Sequence, residues 1–307
     1  MTKSIYDINR CLAEDTAGFI AAAEKNYHRQ LSEIADYIAA HSEQCPVVLL
    51  SGPSGSGKTT SALILEDKLD RRGLETHTLS QDNYFRTMTE EDHALLERGE
   101  LDLESPSRVD ETLLTNQLAD IIAGKTVELT EFDFCTHTRR PSGKTLTRQP
   151  GEVVILEGIH CLNPAVVHLP KEQTVRLYVS VRTRVEGADG QVLHPKYIRL
   201  LRRMLRDVQH RGRRPEDTLK MFHSVNRGED NFIIPYKHHA TFDVDTFHPY
   251  EINLYRRYLL EDLQPLADRP EIAAVLPILT AADPLTADAV PDTALIREFI
   301  GDSVFHK

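Results

Sequence analysis

Three places in the chain combine residue types and spacing that could do chemistry. The first is Gly52-Pro53-Ser54-Gly55-Ser56-Gly57-Lys58-Thr59, which fits G-x-x-x-x-G-K-[ST]. Glycines let successive backbone N–H groups turn toward one centre, and a helix starting there adds unpaired donors and the positive end of its dipole. Lys58 can span the β- and γ-phosphates of a nucleoside triphosphate, and the Thr59 hydroxyl can bind Mg²⁺. A nucleotide is therefore expected on Gly52, Ser54, Gly55, Ser56, Gly57, Lys58, Thr59 and Thr60. The second place is Gln81-Asp82-Asn83-Tyr84-Phe85, where Asp82 is a candidate general base or an organiser of Mg²⁺. The third is Glu157-Gly158-Ile159-His160, where Glu157 is a candidate for Mg²⁺ or its waters. For both acids the structural alternative is a helix cap.

Two further clusters are dense enough to act on a ligand. Seven arginines fall between Arg199 and Arg214. On a helix, Arg199, Arg203 and Arg206 share one face, and Leu200, Leu201, Met204, Leu205 and Val208 give the other. The run is expected as a lid over about 199–216 whose guanidiniums neutralise charge on a transferred phosphoryl. A solvated face and a nucleic-acid helix are the alternatives. The second cluster is TVELTEFDFCTHTRR, whose alternation predicts a β-hairpin over about 126–148 with a turn at Pro141-Ser142-Gly143-Lys144. Phe132, Asp133, Phe134, His137, Arg139 and Arg140 crowd together there, as a planar polar ligand would require.

The elements that must position these groups follow from the apolar pattern. Val47–Leu50 reads as a buried strand feeding the glycine-rich loop, and Ser61–Leu69 as the helix after it. Thr76–Ser80 is a second strand that delivers Asp82 at its C-terminal end, where open α/β sheets bind ligands. Glu152–Leu156 and Thr174–Val181 are near-continuous apolar runs, the signature of parallel strands covered on both faces. Phe242–Thr246 is the last sheet strand. Helices are expected over 4–42, Asp110–Ala123, Glu251–Gln264 and Asp292–Ile300, and a strand over Ala274–Ile278. The fold class is α/β: a parallel sheet of the phosphate-loop NTPase type with helices on both faces, a substrate hairpin, an arginine-rich lid and an N-terminal helical extension. No Pro/Gly/Ser linker divides the chain. Residues 1–44 read as the extension and 45–307 as one domain.

Composition narrows the function classes. The 307 residues carry a formal net charge of −11, which argues against general nucleic-acid or anionic-membrane binding. The four cysteines, Cys11, Cys45, Cys135 and Cys161, are far apart in sequence, so neither a zinc site nor a disulfide framework is indicated. There is no apolar run of transmembrane length and no signal-peptide pattern, and a reducing cytoplasm is the expected setting.

Read together, GPSGSGKTT, LSQDNYF, EFDFCTHTRR, VVILEGIH, RLLRRMLRDVQHRGR and FIIPYKHHATFDVDTF resemble, in family order, the uridine kinase and phosphoribulokinase family of phosphate-loop kinases. The resemblance spans about Gln44 to Glu251. DTLKMF and ALIREFIG are similar to a bacterial nucleoside-kinase branch that often carries a threonyl-tRNA-synthetase-like N-terminal part; here helical residues 1–44 stand in its place. The resemblance implies an ATP- and Mg²⁺-dependent kinase with a small-molecule nucleoside or sugar acceptor, no nucleic-acid or membrane partner, and a homo-oligomeric state. By position, Asp82 resembles the base toward the substrate hydroxyl, and Glu157 the acid near Mg²⁺. Arg203 resembles an arginine that contacts the sugar, and Glu104 stands in place of an aspartate that holds ribose hydroxyls. Arg206, Arg211 and Arg213 resemble the arginines near the phosphates and lid. Phe134 and His137 match the base-recognition hairpin, and Phe85 and Phe132 join them at the substrate. Three positions depart from the pattern: Phe132 replaces a tyrosine, Met221 a glutamine, and Glu104 is one methylene longer than aspartate. Each moves or removes a polar contact, which bears on the acceptor more than on phosphoryl transfer. The leading expectation is transfer to the 5′-hydroxyl of a uridine- or cytidine-like nucleoside. The alternatives are a kinase of another sugar, sugar phosphate or polyol, a non-catalytic nucleotide-dependent regulator, and a switch NTPase. The last would call for an N-K-x-D signature that the chain lacks.

Overall fold

The computed structural model describes residues 1–187 and 190–305. Its strands are β1 (Thr2–Ser4), β2 (Val47–Ser51), β3 (Thr76–Ser80), β4 (Val127–Asp133), β5 (Thr138–Leu146), β6 (Val153–Gly158), β7 (Thr174–Ser180), β8 (Arg184–Glu186), β9 (Val192–Leu193) and β10 (Phe242–Asp245). Its helices are α1 (Ile5–His41), α2 (Lys58–Asp70), α3 (Glu90–Glu97), α4 (Glu111–Ile122), α5 (Pro195–Arg211), α6 (Pro215–Lys220), α7 (Phe222–Phe232), α8 (Glu251–Leu263), α9 (Pro270–Ala281) and α10 (Arg297–Ile300).

The main sheet runs β10-β7-β2-β6-β3, and every pairing in it is parallel. The central strands β2 and β6 are buried along their whole length and mostly apolar because both faces are covered, while the edge strands β3 and β10 are more polar. Along β2, Val48 and Leu50 enter the core shared with α1, α2, α5, α8 and α9, while Val47 and Leu49 enter the core shared with α4. The same alternation along β6 sends Val153 and Ile155 one way and Val154 and Leu156 the other. Helices therefore lie on both faces, as the sequence predicts. Among the described residues no helix is long and apolar enough to cross a membrane.

The 4–42 segment is α1, broken at Asp15, whose φ of −156° leaves the helical region and whose carboxylate accepts from the Gly18 N–H. Ile20, Tyr27, Leu31, Ile34 and Ile38 sit in the same core as α8 and α9. The short strands β1, β8 and β9, in a sheet of their own, carried no sequence signal.

Three expectations are corrected. Ala274–Ile278 is helix within α9, not strand: Ile272, Val275, Ile278 and Leu279 are buried at helical spacing, and Pro270 starts the helix at its first turn. Of Asp292–Ile300, only α10 is helical. The hairpin β4–β5 turns at 134–137, with His137 at φ 54°, and Pro141–Lys144 lies inside β5. A register shift between Glu128 and Thr130 takes up the irregularity that the Pro-Ser-Gly-Lys stretch would otherwise express as a turn.

Candidate active site

Sheet register brings the chemistry together. Leu50, one residue before the end of β2, pairs with Glu157, and Glu157 pairs with Ser80 on its other side. The tip of β2 (which becomes the phosphate loop), the tip of β3 (which becomes Asp82) and the Glu157 carboxylate therefore converge at one edge of the sheet. Gln81 locks two of these tips: its buried side chain accepts from the His160 N–H at 2.9 Å, and Gly158 admits its Cβ where any side chain would collide at 2.4 Å.

The loop needs glycine at Gly52, where a Cβ would stand 2.0 Å from the Val179 carbonyl oxygen, and at two positions of left-handed backbone. Gly55 and Gly57 have φ of +76° and +85°, and a Cβ on Gly57 would stand 2.6 Å from Leu295. Gly57 is the N-cap of α2 and provides no side-chain cap, so the helix terminus is left for an anion. The buried Ser56 Oγ has no hydrogen-bond partner.

A cleft of about 670 Å³ opens over these groups. Its lining includes Ser54, Gly55, Gly57, Lys58 and Thr59 of the glycine-rich loop and helix start, together with Arg206, Arg211 and Arg213. Asp82, Glu104 and Glu157 also line it, as do Phe85, Phe132, Phe134 and His137. The three phenylalanines form an edge-to-face cluster with centroids 5.2 to 6.3 Å apart. Gly52, Ser56, Thr60 and Arg203 do not line the cleft. Thr60 is turned to Glu298, its hydroxyl donating at 2.6 Å. Arg203 is buried behind Glu104 and Gly55, with its guanidinium 5.9 Å from the Phe222 ring centroid.

The arginine run divides. Arg199 is buried and ion-paired with Glu229, and Arg202 is fully buried with Glu251, so neither faces the cleft. Arg206, Arg211 and Arg213 do. Asp207 holds Arg211 at 3.2 Å and accepts from Thr218 at 2.8 Å, and Gly212, left-handed at φ 60°, ends α5 so that Arg213 turns back toward the cleft. The hairpin's charged residues are also corrected. Arg139 pairs with Asp110 at 2.9 Å, Arg140 with Glu131 at 2.7 Å, and Asp133 caps the Cys135 and Thr136 N–H groups; none of the three lines the cleft. They brace the hairpin rather than face a ligand.

Burial dominates the titration of the acids. It pushes Asp82 upward despite Lys58, Arg206 and Arg211, which pull the other way. Desolvation by the cleft walls outweighs the pull of those cations on the carboxylate. Burial, reinforced by Asp82, raises Glu157 to about 7. Burial raises Glu104 to about 7 against the pull of Arg203 and Lys58. Three carboxyls poised upward beside a phosphate loop form the kind of cluster that functional sites assemble.

Comparison with known proteins decides the family. Residues 47–251 match the Phosphoribulokinase / Uridine kinase family. The chain belongs to that family. It is similar to a uridine kinase of Lactobacillus johnsonii, 32% identical over 199 residues that cover 64% of this chain and 84% of that protein. It is 31% identical over 207 residues to uridine-cytidine kinase 2-B of Danio rerio, covering 65% and 73%. A uridine kinase of Macrococcus caseolyticus is 34% identical over 196 residues, covering 63% and 84%. The family is one of kinases, and the phosphate loop, Asp82, Glu104, Glu157 and the cleft arginines Arg108, Arg206, Arg211 and Arg213 lie inside the matched span.

Two features of the site escaped sequence reasoning. Glu298 lines the cleft from outside the family match, 238 residues from its partner Thr60; it lies in the ALIREFIG stretch, but nothing in that stretch points to a contact with the phosphate loop. Gly228 on α7 lets Glu104 approach, since a Cβ there would stand 2.3 Å from the Glu104 Cβ. A lone glycine in a polar helix was its only trace.

Proposed function

We propose that this chain transfers the γ-phosphoryl of ATP to the 5′-hydroxyl of a uridine- or cytidine-like nucleoside. One observation carries the reading: a single cleft is lined by Lys58 and Thr59, by Asp82 and by the Phe85–Phe132–Phe134 cluster. Its volume of about 670 Å³, with phosphate-loop groups and an aromatic cluster in one lining, suits a triphosphate together with a planar base. The names of the similar proteins point the same way.

The residues fit an ATP and Mg²⁺ site. The uncapped start of α2 and the Lys58 ammonium meet phosphate charge. Among the described residues no three His, Cys, Asp or Glu side chains could hold a metal by themselves, so Thr59 and Glu157 would share Mg²⁺ with the phosphates. Bound there, Mg²⁺ would neutralise developing phosphate charge. Asp82 takes the acceptor hydroxyl proton. Arg206, Arg211 and Arg213 stabilise the transferring phosphoryl, while Glu104, held near Arg203, meets sugar hydroxyls. The phenylalanines and His137 flank the base. Residues 1–44 serve as an extension packed on the 45–307 kinase domain.

A second reading, a kinase of another small polyol, is favoured by Phe132, which presents a ring and no hydroxyl at the base end. A coupled ADP-release assay over nucleosides, sugar phosphates and polyols, with the product mapped by phosphorus NMR, separates the two. The expected result is turnover with uridine or cytidine and a phosphomonoester at C5′. Turnover only with a non-nucleoside acceptor would overturn the nucleoside assignment.

A further inference from the structure

Arg202 belongs to the arginine run yet never meets the cleft. Its side chain and that of Glu251 are both 0% exposed. All three guanidinium nitrogens are engaged. Nε donates to Glu251 Oε2 at 2.8 Å and Nη2 to Glu251 Oε1 at 3.0 Å. Nη2 also reaches the Thr246 carbonyl at 2.7 Å, and Nη1 the Thr246 hydroxyl at 3.1 Å. Nη1 further reaches the carbonyls of Gly55 and Ser56, at 3.3 and 3.4 Å. Thr246 repeats the grip, its hydroxyl donating to the Ser56 carbonyl at 2.8 Å. Glu251 is held in turn by the His248 N–H at 3.0 Å and the Tyr255 hydroxyl at 2.9 Å. The Phe299 ring centroid lies 5.2 Å from the guanidinium carbon.

A buried ion pair is a poor source of stability, because desolvation of both charges offsets their attraction. Its value here lies in what it holds. A trans peptide unit points its C=O and the next N–H in opposite directions. Gripping the Ser56 carbonyl from behind therefore turns the Gly57 N–H toward the cleft, the orientation an anion-binding loop requires. The fork geometry also explains the residue type. A lysine has a single point of charge and could not engage Glu251, Thr246 and two loop carbonyls together.

We infer that Arg202, clamped by Glu251 and Thr246, is a positioning residue that sets the phosphate loop's N–H groups for the nucleotide. This rests on the reading of the loop as a nucleotide site. It gives one arginine of the run, and the residue at the last position of the family match, a part in catalysis through the backbone rather than through substrate contact.

The test compares wild type, Arg202→Lys, the charge-neutral pair Arg202→Met/Glu251→Gln, and Thr246→Val, which keeps the ion pair and removes the hydroxyl that links Arg202 Nη1 to the Ser56 carbonyl. ADP affinity is measured by calorimetry, with thermal melting and the KM for ATP and for uridine alongside. Folded Arg202→Lys and the charge-neutral pair are expected to bind ADP at least about tenfold more weakly, with the KM for ATP rising and the KM for uridine unchanged within about twofold. Thr246→Val is expected to weaken ADP about threefold and to lower the melting temperature modestly, because a buried hydroxyl with two hydrogen bonds is lost. Should the pair not fold, Thr246→Val decides alone. Wild-type ADP affinity in folded Thr246→Val and in whichever Arg202 variants fold would reduce Arg202 to scaffold and overturn the inference. Wild-type protein that itself fails to bind ADP would instead overturn the function proposed above.

Discussion

Glu24→Gln tests how firmly α1 is built into the kinase domain. Glu24 lies on α1 at 8% exposure, where Oε1 accepts from the Tyr250 hydroxyl and stands 3.3 Å from His248 Nε2, while Oε2 has no hydrogen-bond partner. Burial raises its carboxyl from 4.5 to about 7, with the Tyr250 hydrogen bond opposing. His248 supplies no counter-charge, since burial, reinforced by Arg202, drives it down to about 3. The sign follows. Between pH 4.5 and 7 the folded protein keeps a proton that the unfolded chain has released, so this group's stability is fully present below 4.5 and is lost as pH rises through 7. The span from 4.5 to about 7, at 1.36 kcal/mol per unit, gives a loss of about 3 kcal/mol. Glutamine keeps the acceptor for Tyr250 and removes the titration. Urea unfolding followed by far-ultraviolet circular dichroism is the assay, because the chain has no tryptophan. The variant is expected to match wild type near pH 4.5 and to exceed it by up to about 3 kcal/mol at pH 8; His248 and the cleft acids titrate in both proteins and cancel in the difference. Equal stability differences at the two pH values would refute the argument.

Other perturbations act on the cleft. Lys58→Ala leaves the loop backbone but removes the cation facing the phosphates, and kcat is expected to fall at least about 10²-fold at saturating ATP. Unchanged turnover in a coupled assay would contradict that. Arg206→Ala and Arg211→Ala are expected to lower kcat more than they raise the KM for the acceptor, because the charge they meet develops on the transferring group. Normal kinetics with only a lowered melting temperature would return both residues to a solvated face.

Much of the site was legible because short-range sequence fixes it. The phosphate loop, the strand that delivers Asp82 and the strand that ends in Glu157 are contiguous motifs whose register follows from a parallel sheet. What could not be read depends on distant partners. Nothing in the run from Arg199 to Arg214 tells which guanidinium meets Glu229, which meets Glu251 and which is left for the cleft. Amphipathic spacing assigns faces, but buried carboxylates from α7 and α8 decide their use. Glu298 is the same case, a carboxylate brought to the loop by a chain segment outside the family match. The strand expected at Ala274–Ile278 fails for another reason: a short buried helix and a buried strand share the same apolar composition. The raised Asp82 reflects burial, which no local pattern reports.

The account rests on Asp82 as the base that takes the acceptor proton. Asp82→Asn keeps the side-chain shape and removes the basicity, and the decisive measurement is its kcat as Mg²⁺ is titrated at saturating ATP and uridine. The predicted result is a loss of about 10²–10⁴-fold that no Mg²⁺ concentration repairs, with ATP still bound. Recovery of turnover at high Mg²⁺ would contradict it and leave Asp82 as a residue of the metal shell.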